Sequence, residues 1–458
     1  MSPKTARTLY PLTPSQGLTL MNRQWCVHRN VVNIPTSIVV EAPWSLGLVE
    51  NAVRLAVSRW DSFGLRITRS GRRWRQYFTE PALLSMERKD FRGSTTVEME
   101  RFFSGAGAKA MPLKDGPLAR MWVFVDPDGR PGVFSVINHL IMDSWAISHF
   151  YADVVAICQA LEGGCPLPKA PMSYESVLAG ELAYLDSDRY RADKEYWLGE
   201  LTTSESYFTG LLGSAELAEY RRKKKSPDLR VARNFYLRSK AAHVVKVVGA
   251  EDVQRFAAFL AEQRFPSMQL LFLLALRIYL AKINDRTPDV TIGVTLARRG
   301  TLAEKRTGGS RVHHAEFRSV FDESTTFAEA LHALLEKQSQ HYRHMDFPSV
   351  EAVMMPVEAF GHKPGVTHWG LLFTFQTTAP AVEGLTYHTR WYCNGATAMS
   401  AYLTIMDDDR SGGLRCYWEH SLARVPVASV EAAHEGMLRV LRAGVQRPDA
   451  TLGELMDL

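Results

Sequence analysis

One stretch of the chain sets a proton acceptor and a charge at close spacing. It is Asn138-His139-Leu140-Ile141-Met142-Asp143-Ser144, an H-x-x-x-D pattern at the end of an apolar run. A neutral imidazole is suited to take a proton near pH 7. A carboxylate four positions on can hold the loop by pairing with an arginine, without touching a reactant. Such a pair serves transfer of an acyl group that arrives already activated, as in a thioester. That chemistry needs an oriented nucleophile and a group to manage its proton, and neither a protein nucleophile nor a metal. The spacing alone is a weak signal, because 14 histidines and 49 acidic residues produce it by chance. Most histidines are simply satisfied polar groups.

Other chemistries lack their signatures. There is no H-E-x-x-H, so the histidines do not have the usual zinc spacing and no metal site is expected. Gly308-Gly309-Ser310-Arg311-Val312 does not make a G-x-S-x-G nucleophile elbow. No G-x-x-x-x-G-K-[ST] is present, and Gly105-Ala106-Gly107-Ala108-Lys109 reads as a loop, not a phosphate cradle. Five scattered cysteines without a C-x-x-C pair argue against both a disulfide framework and a zinc knuckle.

The elements around His139 follow from pattern. Two apolar strands flank the turn signal Asp126-Pro127-Asp128-Gly129, and the second, Val133 to Ile137, runs into Asn138-His139. Ser144 or Asp143 can cap the long helix that follows, which ends at a glycine pair. His139 therefore falls at a strand end and Asp143 at a helix N-terminus. Upstream, Thr13 caps a helix over 13–25 with Pro14 in its first turn, and a serine-capped helix covers 45–59. A helical stretch spans 174–201, and the chain to about 240 reads as irregular. Helices are then expected at 251–263, 267–284, 325–343 and 427–444, with strands at 289–296, 369–376, 401–405 and 413–420. Alternating helices and strands in both halves indicate α/β layers.

The chain has 458 residues, too long for one ordinary core. Two domains are expected, with a boundary near the proline-rich 165–171 or just after the helical stretch behind it: a first lobe over 1–175 and a second over 176–458. No apolar run reaches the roughly 18 residues of a membrane span. The N-terminus has no apolar segment behind its basic residues, so no secretory signal is read and a cytoplasmic location is expected. The net charge of +5 is modest. Its one dense basic run, Arg221-Arg222-Lys223-Lys224-Lys225, reads as a solvated loop or as a steering patch for an acidic partner. It lacks the interleaved aromatics of a nucleic-acid surface, so neither nucleic acid nor membrane is expected as a partner.

The motif around His139 resembles the H-H-x-x-x-D-G signature of the condensation domains of nonribosomal peptide synthetases and related acyltransferases. The resemblance continues in order along the chain. Leu12-Thr13-Pro14-Ser15-Gln16 is similar to the family's opening motif, and Arg59-Trp60-Asp61 with Leu65-Arg66 to its R-H-E-x-L-R segment. Tyr174 and Glu181 through Tyr196-Trp197 match the helix that closes the first lobe. Asp289 to Arg299 resembles D-x-x-I-G-x-P-x-A-N-R, and Gly309 to Arg318 falls where the family reads G-x-F-x-N-T-x-x-x-R. Leu372 to Gln376 looks like its V-x-F-x-x-Q strand.

The resemblance implies an α/β fold of two chloramphenicol acetyltransferase-like lobes, arranged as a V-shaped pseudo-dimer with a central tunnel. It implies an acyltransferase with His139 as the catalytic residue, Asp143 in a structural salt bridge to Arg299, and Asn138 supporting the motif. Ser144, Trp145, His313, His314 and Gln376 fall at tunnel positions. No bound cofactor is expected; the phosphopantetheine arm belongs to an acyl or peptidyl carrier protein, and the acceptor is a small molecule or is itself carrier-bound. The product would be an amide or an ester. Asn138 replaces the family's first histidine and Ser144 its glycine, which also leaves a catalytically silent, carrier-recruiting module as an alternative. A further alternative is an acyltransferase that uses free acyl-CoA.

Overall fold

The computed structural model describes residues 7–81, 86–234, 237–376, 380–408 and 410–458. The chain divides into two compact units. The first contains Met1–Asp188, Ala297–Val312 and Thr378–Ala396; the second contains Arg189–Leu296, His313–Thr377 and Thr397–Leu458.

The first unit is built on a five-stranded sheet. Its order is Tyr387–Trp391, Asn33–Val40, Pro131–Asn138, Ala119–Val125, Met86–Asp90. All pairs are antiparallel except the last, which is parallel. The central strand Pro131–Asn138 is buried along its whole length, because both faces of the sheet are covered. Its period of two sends Val133 and Ile137 toward the helices Leu46–Arg59 and Ser144–Gly163. Phe134 and Val136 point the other way, into a cluster with Phe103 and Phe124. There Phe103 stacks on Phe134, with ring centroids 4.1 Å apart.

The second unit carries a six-stranded mixed sheet. Its order is His313–Val320, Asp289–Leu296, Leu371–Phe375, Ala401–Asp408, Gly413–Ser421, Ala241–Val248. Against it lies the helix Met268–Ile283, whose residues from Leu270 to Ile278 are all buried. A helix apolar all round must be covered all round. Neighbouring helices Phe327–Arg343, Val427–Gln446 and Leu452–Met456 supply that cover.

Several expectations are corrected. The basic run is not a loop: Arg221 to Lys224 form the last turn of the helix Ser214–Lys224, and Lys225 closes it in the left-handed conformation (φ 53). Cations in a final helical turn are favoured by the helix dipole. Residues 105–107 are likewise helical. A capping box between Thr95 and Glu98 starts the helix Thr96–Gly107, and burial of Phe103 and Ala106 carries it through its glycines. The stretch 174–201 is two helices, Tyr174–Tyr184 and Asp188–Thr202, and the second lies almost wholly in the second unit. The hairpin Leu65–Ser70 with Arg73–Phe78 and the strand Ala241–Val248, whose apolar residues do not alternate strictly with polar ones, are strands that the sequence reading did not place. No helix among the described residues is long and apolar enough to cross a membrane.

Candidate active site

His139 follows the central strand of the first unit directly. Its backbone N–H donates to the Val32 carbonyl (2.8 Å), and Asn138 N–H donates to Leu118 (2.8 Å), so the strand's bonding continues to the motif on both sides. The chain then turns. Asn138 Oδ1 accepts from Leu140 N–H (3.1 Å), and Ile141 N–H donates to the Asn138 carbonyl (3.0 Å). This is a side-chain-stabilised turn of the kind asparagine favours. From the N-terminal helix, buried Gln16 donates to the Leu140 carbonyl (3.1 Å) and accepts from Thr13 N–H (2.9 Å). The opening motif thus grips the histidine loop.

Asp143 has two tasks. Its Oδ1 caps the helix Ser144–Gly163 by accepting from Ala146 N–H at 2.9 Å. Both its oxygens accept from Arg299 Nη2 at 2.9 Å, in a pair with side chains at most 1 % exposed. Arg311 N–H adds a bond to Oδ2 (2.9 Å). Burial alone would raise this carboxyl's pKa, but Arg299 and the two backbone N–H groups outweigh it and hold the pKa below the usual range. The capping role therefore belongs to Asp143, not to Ser144. Ser144 occupies the first helical position, where backbone φ is negative and a glycine is not needed.

Arg299 arrives on the excursion Ala297–Val312, which joins two neighbouring strands of the second unit but packs within the first. Arg299 also donates to the Glu304, Thr307 and Gly309 carbonyls. Flanking it, Arg298 (φ 48) and Arg311 share Glu181, at 2.7 and 3.1 Å, with all three side chains at most 3 % exposed. Arg311 reaches Glu304 as well (2.6 Å). Three guanidinium groups are thereby set against three carboxylates. Gly309 (φ 81) packs so tightly that a Cβ there would lie 2.1 Å from the Tyr174 ring, and one on Gly308 would lie 2.3 Å from Ser62 Oγ. Tyr174 is held in turn by Asp61, which accepts from Ser173 Oγ and from the N–H groups of Tyr174 and Glu175.

The glycine pair brings Ser310 against the histidine. Ser310 Oγ lies 3.0 Å from His139 Nδ1, and the serine is fully buried. Sequence reasoning misses this contact, because the 308–312 stretch fails the hydrolase pattern that a serine between glycines suggests; the close-packed Gly308-Gly309 is the available signal. His139 as a residue is half-buried. Protein encloses most of it, and this desolvation lowers its pKa despite the Asp143 charge nearby. The lowering favours the uncharged ring, one nitrogen of which is tied to Ser310.

Trp145 donates to the Lys305 carbonyl (3.0 Å) and stacks on His149. His313, His314 and Gln376 belong to the second unit. His313 is buried at the start of the strand His313–Val320, and His314 N–H donates to Ser349 Oγ (2.6 Å). Gln376 is half-buried just beyond the strand Leu371–Phe375. The second unit also has a groove of about 660 Å³ whose lining includes Lys223, Lys224, Arg233, Arg238, Lys363 and Arg424. Glu219 is its one acidic residue.

The family model of the condensation domain matches residues 6–353. The chain belongs to that family. A plipastatin synthase chain of Bacillus subtilis (strain 168) is 20% identical over 451 residues, which is 97% of this chain and 17% of that protein. A linear gramicidin synthase chain of Brevibacillus parabrevis is 21% identical over 361 residues, 75% of this chain and 4% of its own length. The chain thus spans a small part of these relatives. Among solved structures it resembles the first condensation domain of the calcium-dependent antibiotic synthetase in complex with a substrate analogue (TM-score 0.82, 18% identity, 98% and 99% of the two chains). A mutant starter condensation domain of rhizomide synthetase in complex with C8-CoA gives TM-score 0.82 at 18% identity, covering 97% of each chain. VibH, a condensation enzyme of nonribosomal peptide synthesis, gives 0.73 at 16% identity, covering 96% and 98%. The fold is the condensation domain fold.

Two outcomes test this geometry. Asp143→Asn strands Arg299 as a buried charge and should cost ~3–5 kcal/mol in urea unfolding. A cost below ~1 kcal/mol, typical of exposed pairs, would mean that Arg299 finds water. In an NMR titration of 13C-labelled histidines, His139 should show its midpoint below the ~6.5 of a free imidazole. Because the fold disfavours the protonated ring, its contribution to stability is complete above that value and declines as the pH falls toward the lower folded value. A midpoint at or above it contradicts the lowering that burial is expected to cause.

Proposed function

We propose that the chain transfers an acyl or aminoacyl group from the phosphopantetheine thioester of a carrier protein to an amine or alcohol acceptor, small or carrier-bound. The product is the amide or ester of a natural-product pathway. The observation that supports this best is the half-buried His139, with Nδ1 3.0 Å from Ser310 Oγ and a pKa that burial lowers. With Nδ1–H donated to the serine oxygen, Nε2 carries the free lone pair. The acceptor nitrogen or oxygen attacks the thioester carbonyl and its proton passes to Nε2. The carbon–sulfur bond then breaks, and the sulfur leaves as the thiol with the proton returned from the ring. Asp143 and Arg299 stay out of the chemistry and position the loop. The substitutions at 138 and 144 leave this geometry intact: Asn138 closes the turn and Ser144 sits in the helix.

The basic groove of the second unit suits an acidic carrier surface, since its cations outnumber its one acid. The rhizomide starter domain's complex with C8-CoA makes free acyl-CoA a donor worth comparing.

In a reconstituted assay with carrier-bound donors, His139→Ala should abolish product while circular dichroism stays unchanged. Normal turnover by that variant would end the catalytic reading in favour of a silent recruiting module, and faster turnover with acyl-CoA than with the carrier-bound donor would replace the carrier. Lys223→Glu with Lys224→Glu should raise KM for the carrier-bound donor about tenfold at low ionic strength, the lower end of electrostatic steering. An unchanged KM would remove the groove from carrier docking.

A further inference from the structure

The sequence contains no zinc-like histidine spacing, yet the fold of the second unit assembles a set of ligands from distant positions. Glu205 and His362 are 157 positions apart and share a hydrogen bond between Glu205 Oε1 and His362 Nε2. The same carboxylate oxygen lies 3.6 Å from His368 Nε2. One ligand atom from each of the three side chains falls within 4.8 Å of the others. Around a tetrahedral zinc ion with ligand bonds of ~2.0–2.2 Å, neighbouring ligand atoms are ~3.3–3.6 Å apart, so small side-chain rotations convert this cluster into a coordination shell.

Backbone pairing brings the residues together. Thr209 N–H donates to the His368 carbonyl (3.1 Å), and Gly370 N–H donates to Thr209 (2.8 Å), which lays the chain after Glu205 beside His368. Trp369, 1 % exposed, packs on Gly293 and anchors the neighbouring histidine. His362 enters just after Gly361 (φ 70) ends the helix Ser349–Ala359, with its N–H returned to the Val357 carbonyl.

Two further observations point to a cation. His368 is 2 % exposed, and its Nε2 has no hydrogen-bond partner among the described residues, although it faces the carboxylate. Its other nitrogen, Nδ1, lies 3.6 Å from the buried carboxylate of Glu316. A carboxylate behind the non-ligating nitrogen is the usual support of a metal-bound histidine: it sets the tautomer that leaves Nε2 free and makes the ring more basic. Glu205 and His362 keep 19% and 13% side-chain exposure, which gives an ion an approach and leaves room for a water as fourth ligand. Without an ion, a proton on His368 can supply the positive charge. Burial disfavours that proton, but Glu205 and Glu316 outweigh it and raise the pKa to about 9.

We propose that Glu205, His362 and His368 form a zinc site, with Glu316 as the residue that orients His368. Two imidazoles and one carboxylate suit zinc better than calcium or magnesium, which prefer all-oxygen shells. The ion would fasten the segment 362–368 at both ends, and Lys363 to Val366 within that segment line the basic groove. The role is structural and independent of the reaction at His139.

The test is zinc titration of the chelator-stripped full chain by calorimetry, with metal content measured after dialysis. One ion per chain and a raised melting temperature are expected. His362→Asn, at a half-buried position, should abolish that uptake while the circular dichroism spectrum is retained. Glu316→Gln should weaken zinc affinity by ~10–100-fold. Failure of the folded wild-type chain to take up stoichiometric zinc overturns the proposal, as does uptake that His362→Asn leaves unchanged, which would place the ion on other residues.

Discussion

The geometry around His139 depends on one buried charge pair. Asp143 and Arg299 lie on segments 156 positions apart and are bonded at 2.9 Å with almost no exposure. Two charges taken out of water lose hydration worth several kcal/mol each, and their attraction recovers it only when every remaining hydrogen-bonding site is filled. Here nearly all are. Asp143 also accepts from two backbone N–H groups, and Arg299 also donates to three carbonyls. Only Arg299 Nε lacks a partner among the described residues. An apolar pair of the same volume could be as stable. It would not fix direction, and direction is what brings the Ser310 hydroxyl to the imidazole.

The same logic explains the second tier of charges. Glu181 accepts from both Arg298 and Arg311, so the arginines on either side of Arg299 are tied to a helix of the first unit. Arg298 adopts a left-handed backbone that a bulky residue occupies only when its surroundings impose it. Its guanidinium donates to Ser15 and Glu181, and its carbonyl accepts from Arg311 Nε. Gly308 and Gly309 provide the remaining requirement, a backbone thin enough to pass Ser62 and Tyr174.

What could be read from sequence divides along physical lines. Strands and helices with strong periodicity were legible. The helix Met268–Ile283 was expected at 267–284, and the strand Asp289–Leu296 at 289–296. The resemblance brought Asp143 and Arg299 together on paper, and their geometry is now explicit. Glu181, Arg298, Ser310 and Arg311 were harder. All four fall within or beside segments that resemble the family, but a lone polar residue has no periodicity to betray burial, and its partner is settled only by tertiary packing. The histidines of the second unit show the same limit. His362 and His368 met no motif because their shared carboxylate comes from a different part of the chain. Short amphipathic pieces such as the helix Thr96–Gly107 were hidden by glycines that tertiary burial overrides.

The first unit is discontinuous, and this bears on how the chain matures during translation. Asp143 leaves the ribosome 156 residues ahead of Arg299, so at ordinary elongation speeds roughly 10–30 s pass before its counter-charge exists. Over that interval a nascent chain that closed its sheet would bury a lone carboxylate. The missing edge strand Tyr387–Trp391 is made later still. The N-terminal segment is therefore poorly suited to complete itself as it emerges. The ion pair that closes the histidine loop needs the arginine-bearing excursion, which is made later.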